Sequence, residues 1–104
     1  MKKSELENKY TFLNKLLEEF YDVQYEYKNA KSNSKKNVES RLSTLINRAE
    51  NYIESDDTLY NIVTVGKTEY ERMISIEESF TLRNFSRDMP EILSRLKNFI
   101  ENLE

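Results

Sequence analysis

From Ser4 to about Lys28 the chain repeats apolar or seam positions at alternating spacings of four and three: Leu6, Tyr10, Leu13, Leu17, Phe20, Gln24 and Tyr27. No Gly or Pro interrupts them, and this periodicity predicts one long helix. Ser4 and Glu7 have the spacing of a capping box, in which two side chains satisfy two orphan backbone donors, and so mark its expected start. Placed at about 100° per residue, Phe12, Leu16, Tyr21, Val23 and Tyr25 widen the apolar arc to roughly 220°. A surface helix needs a stripe only a little over about 100° wide. This first helix is therefore expected to be covered from more than one side.

The stretch Asn29–Asn37 is polar and aperiodic, rich in residues that compete for backbone hydrogen bonds, and predicts a loop with Ser34 or Asn37 as the next cap. A second helix follows to about Glu54, with Val38, Leu42, Leu45, Ile46, Ala49, Tyr52 and Ile53 within an arc of roughly 120°. Two long helices joined by a short loop predict an antiparallel hairpin. Ser55, Asp56, Asp57 and Thr58 then break the pattern.

Residues 59–85 admit two readings. The run 59–65, LYNIVTV, is apolar all round and has high β-propensity. Thr68 and Glu71 form a capping box that favours a helix from Thr68 to about Phe80, with Tyr70, Met73, Ile74, Ile76 and Phe80 inward. In the rival reading Gly66-Lys67 is a two-residue turn and the segment folds as a small antiparallel hairpin or meander. The helix is the preferred reading. Asp88 and Glu91, with Pro90 in the first turn, predict the start of a last helix carrying Ile92, Leu93, Leu96, Phe99, Ile100 and Leu103 on one face. The expected fold is mainly α, a single domain over residues 1–104. The hairpin and the C-terminal helix would form a small three- to four-helix bundle; the alternative is α+β. Leu13, Leu17, Phe20, Leu42, Leu45, Leu96 and Phe99 are the expected centre of its core.

Composition narrows the chemistry. The 104 residues include no Cys, no His and a single Gly. That excludes disulfides, thiolate nucleophiles, Cys- or His-based metal sites, a Ser-His-Asp triad and a Gly-rich phosphate loop. Gly66-Lys67-Thr68 imitates the end of a P-loop, but Asn61 stands where its first Gly belongs, and the bulky residues 62–65 cannot wrap a phosphate. The adjacent carboxylates Glu18-Glu19, Asp56-Asp57 and Glu77-Glu78 do not form acid/base dyads on helices, because neighbours in sequence diverge there. The expectation is a non-enzyme with no cofactor and no metal. No apolar run has the length of a membrane span, so a cytoplasmic protein is expected.

Charge is segregated within a net of −3. Lys28, Lys31, Lys35, Lys36, Arg41 and Arg48 dominate residues 28–48, whereas Glu50, Glu54, Asp56, Asp57, Glu69, Glu71, Glu77 and Glu78 dominate residues 50–78. Seven tyrosines and no tryptophan include the cluster Tyr21, Tyr25 and Tyr27 at the end of the first helix. Tyrosine combines apolar area with a polar handle and is enriched at binding surfaces. Phe12, Tyr21, Tyr25 and Tyr27 are therefore the candidate partner-binding residues. The partner would be another protein chain, either a second copy or a larger target. The expected role is a small protein–protein interaction module: an inhibitor, immunity factor or adaptor. The alternative is a nucleic-acid-binding regulator using Lys31, Lys35, Lys36, Arg41 and Arg48, which the negative net charge disfavours. In size and helical pattern the chain resembles small immunity proteins, phage-encoded inhibitors and secretion-partner hairpins, a likeness of shape that carries no function.

Overall fold

The computed structural model describes residues 2–103. They form five helices: α1 (Lys3–Asn29), α2 (Ser32–Glu54), α3 (Asp57–Val63), α4 (Glu69–Ser79) and α5 (Phe85–Glu101), with no strand among the described residues. The mainly-α expectation holds, and α1, α2 and α5 pack as a bundle.

The α1–α2 hairpin is antiparallel. Phe12 stacks on Tyr52, Glu26 pairs with Arg41 and Tyr27 meets Lys35, partners that run in opposite order along the two helices, and Lys9 pairs with Asp56 just past the end of α2. α5 covers a second side of α1. Most of the wide arc of α1 is consumed accordingly: Leu6, Leu13, Leu16, Leu17, Phe20 and Val23 are all buried. One apolar cluster joins all five helices. At its centre Phe20 lies 4.7 Å from Phe85, which in turn lies 5.7 Å from Phe80. These tilted pairs tie α1, the end of α4 and the start of α5 into one contact.

Helix starts differ from those the capping patterns predict, for identifiable reasons. α1 begins at Lys3, where the amides of Glu5 and Leu6 already reach the Lys2 carbonyl, so Ser4 and Glu7 lie within the helix and make no cap. α2 begins at Ser32, and only Ala30 and Lys31 separate it from α1. Residues 32–37, expected as loop, form an exposed helical extension. Adding a residue to an existing helix gains one hydrogen bond per residue fixed, without the cost of a new nucleus. α5 begins at Phe85 because the preceding turn supplies its acceptors: Phe85 N–H donates to Thr81, and Arg87 and Asp88 N–H groups donate to Asn84. Asp88 consequently falls in the first turn of α5 rather than at its cap, and Pro90 lies beyond that turn, inside the helix. Pro90 is exposed, so the Ser86 carbonyl it cannot serve lies on the solvent side of the helix.

The central segment is helical at both ends, not only where the preferred reading placed a helix. Thr68 caps α4, its Oγ1 accepting from Glu71 N–H at 3.2 Å and donating to the Glu71 carboxylate at 2.8 Å. The β-prone run 59–65 instead supplies α3. Asp56 caps it, accepting from Leu59 N–H at 3.0 Å, and Leu59, Ile62 and Val63 point into the core at helical spacing. Tertiary burial along one face outweighs the modest intrinsic preference of Ile and Val for strand. Gly66, with φ of 84°, turns the chain from α3 into α4. Positive φ is cheap only for glycine.

Candidate interaction surface

The sequence-predicted aromatic residues do not form one surface. Phe12 is half-buried, its ring stacked on Tyr52 at 4.2 Å, so this edge of the α1 arc is covered from within the chain. Tyr27 packs against the core, with Lys35 Nζ 5.2 Å from its ring centroid. Tyr21 and Tyr25 remain outward, 43% and 72% exposed, on the same α1 face four residues apart.

The five basic residues are likewise spread out. Lys31 precedes α2 as its N-cap residue, without a side-chain cap bond. Lys35 is engaged over Tyr27, and Arg41 is held by Glu26 at 3.0 Å. Arg48 lies on the same flank of α2 as Arg41, two turns on, whereas Lys36 lies roughly 120–140° round the helix from both. Together they present no single basic face.

A surface that sequence reasoning missed lies between α3 and α5. There an open hollow of about 580 Å³ is lined by Ile62, Val65 and Phe99, with Asn61, Asn98 and Asn102 amides, Thr58 and Arg95 around them. Phe99, expected in the core, is 42% exposed, and Val65 is 65% exposed. The physical reason is geometric. Phe99 sits roughly 60° round α5 from the fully buried Leu96, on the flank that faces α3. α3 ends at Val63, too short to roof that flank. Arg95 closes one end of the hollow, donating to the Val63 carbonyl at 3.2 Å and to the Glu91 carboxylate at 3.0 Å. Arg72 fixes the other side of α3, donating to Asn61 at 2.8 Å and to the Lys67 carbonyl at 3.2 Å.

Beyond α3 the surface turns acidic. Glu54, Asp57 and Glu77 line an adjoining hollow of about 440 Å³ over Tyr60, Met73 and Ile76. Burial first, then the like charges of Glu54 and Glu77, push the Glu50 carboxyl above its ordinary value. Asp56 behaves oppositely. Burial alone would raise it, but hydrogen bonds from Lys9 and from the Leu59 and Thr58 amides, with the Lys9 charge, hold it below the usual carboxylate range.

One polar group invites comparison with an active site. Ser79 donates to Asp88 at 3.0 Å in a small cleft between α4 and α5. The hydrogen bond from Arg87 lowers the Asp88 pKa, against the opposing effect of burial and with help from Ser79. A carboxylate held down in this way is a weak base toward a serine hydroxyl. Among the described residues no group of three or more Asp and Glu is placed to hold a metal ion, and no helix is long and apolar enough to cross a membrane. No protein-family model, curated protein or solved structure matches this chain.

Proposed function

We propose that this protein is a small non-enzymatic interaction module that occupies a surface of a larger protein, as an inhibitor, immunity factor or adaptor does. The observation that carries this reading is the apolar hollow between α3 and α5. Val65 and Phe99 stay in water there although the core lies directly beneath them at Ile62. Covering such surface gains about 25 cal/mol per Å². The amides of Asn61, Asn98 and Asn102 can donate to or accept from the polar groups of whatever covers it. An apolar centre with a hydrogen-bonding rim is the usual anatomy of a protein interface. Tyr21 and Tyr25 form a second, separate exposed pair on α1 and are the alternative contact.

Affinity capture from the native cell tests the reading, with wild type compared against Val65→Ser/Phe99→Ser and Tyr21→Ser/Tyr25→Ser. A partner protein recovered stoichiometrically by wild type and lost with the first double variant is the expected result. Loss only with the tyrosine variant moves the surface to α1. Recovery of nucleic acid that falls steeply with salt and is abolished by Lys35→Glu/Lys36→Glu/Arg41→Glu would replace the interaction module with the nucleic-acid reading.

A further inference from the structure

The α3–α5 hollow does not stand alone. α3 borders two hollows of different character on its flanks, and a third, lined with Lys67, Glu69 and Arg72, beside Asp57, Tyr60 and Asn61. Ile62 and Val65 look toward Phe99 on one side, while Asp57 and Tyr60 look toward Glu54, Met73 and Glu77 on the other. The first hollow is apolar with an uncharged amide rim. Its one cation, Arg95, is already engaged by Glu91 and the Val63 carbonyl. The second has an apolar floor, with Met73 55% exposed, beneath three carboxylates. None of Glu54, Asp57 and Glu77 has an ion-pair partner among the described residues, and no lysine or arginine lines their hollow, although Asp57 also borders the neighbouring hollow with Lys67 and Arg72.

A segment lying across the ridge therefore meets apolar surface on one side and, on the other, apolar surface under the unpaired carboxylates of Glu54 and Glu77, with Asp57 beside them. An acidic or neutral polar segment is repelled or left unpaired at the second hollow. A purely basic, non-apolar one leaves Val65 and Phe99 uncovered. Complementarity is met by a segment that carries both features.

We propose that α3 is a docking ridge for an amphipathic, basic segment of a partner protein, which seats an apolar anchor between Val65 and Phe99 and sets lysine or arginine side chains over Glu54, Asp57 and Glu77. This rests on the interaction-module reading and specifies its partner. Burial is the larger cause of the raised Glu50 pKa; the like charges of Glu54 and Glu77 add to it, and that added part is what such a partner would relieve.

The test uses the full chain and three labelled synthetic peptides of equal length, with binding followed by fluorescence anisotropy. One peptide is amphipathic, with leucine and phenylalanine on one face and lysine on the other. The second replaces lysine by glutamate, and the third replaces the apolar residues by alanine. The first is expected to bind at least about tenfold more tightly than either control, as loss of an anchor residue commonly costs that much or more. The same loss is expected with Val65→Ser/Phe99→Ser, with circular dichroism checking the fold; Val65→Ser alone serves if the Phe99 change disturbs it. Glu54→Gln/Asp57→Asn/Glu77→Gln should weaken binding and flatten its salt dependence. Absence of binding by the first peptide overturns the proposal. So does binding of that peptide unaffected by both sets of variants, which would be general attraction to an acidic protein. A glutamate peptide that binds as tightly, and is lost with Val65→Ser, overturns the basic partner while leaving the interaction module standing.

Discussion

The α1–α2–α5 bundle and the α3–α4 segment are built from similar residues but held in different ways. The long helices each bury a continuous face: six residues of α1, six of α2 and six of α5 are buried. α4 buries only Ile76, and Tyr70 and Met73 stay outside. Stability in the bundle comes from area removed from water. In the central segment α3 adds Leu59, Ile62 and Val63 to the same core, whereas α4 is held by its Thr68 cap and by the Arg72–Asn61 and Ser79–Asp88 ties. A region of few buried contacts opens locally before the whole molecule unfolds. Exposed apolar groups concentrate here, since a lightly packed α4 leaves Tyr70 and Met73 outside and a short α3 leaves the flank of Phe99 unroofed.

Core truncation should separate the two regions most strongly. Leu96→Ala and Leu13→Ala, both at fully buried positions, are expected to cost about 2–5 kcal/mol in chemical denaturation. Met73→Ala in α4 should stay within about 0.5 kcal/mol. A Leu96→Ala cost as small as that of Met73→Ala would erase the distinction.

Asp56→Ala comes next, because one carboxylate both caps α3 and pairs with Lys9. A loss of about 1–2 kcal/mol is expected near neutral pH. The Asp56 pKa is lowered on folding, so its contribution is present above the unfolded value of about 3.9 and lost as pH falls through the folded one. The wild-type and variant stabilities should therefore converge in strong acid. A difference that stays constant down to that range would show that the side chain acts by packing rather than by charge.

Thr68→Ala should cost about 0.5–1 kcal/mol. Its sharper readout is hydrogen exchange. Amides of residues 69–79 are expected to lose protection while those of α1 and α5 keep theirs, and a uniform change would mean that α4 opens only with the bundle.

Glu50→Gln is the smallest effect, and its sign is opposite. The folded-state pKa of Glu50 is raised, so wild type is penalised at neutral pH and gains stability as pH falls through that raised value. The glutamine variant should be more stable by about a few tenths of a kcal/mol at neutral pH, with the gap closing in acid. A gap that widened in acid would contradict the like-charge environment of Glu54 and Glu77.

Helical periodicity alone determined the bundle. Leu6, Leu13, Leu17 and Phe20, or Leu42, Leu45, Ile46 and Ala49, can share one buried face only on a helix, and a long helix has enough such positions for the pattern to be unambiguous. The Thr68–Glu71 cap was equally legible, because it is made among neighbours in the chain. The other two capping patterns failed for a physical reason: side chains at Ser4 and Asp88 compete with backbone acceptors contributed by the residues before them, and Lys2, Thr81 and Asn84 won. The run 59–65 carries apolar residues on every side, so no period within it separates helix from strand. Only packing of Leu59, Ile62 and Val63 against the core decided. The groove is a tertiary product throughout. Phe99 looks like a core residue in its own helix, and it is exposed because a different helix, thirty-odd residues earlier in the chain, stops at Val63 and leaves its flank uncovered.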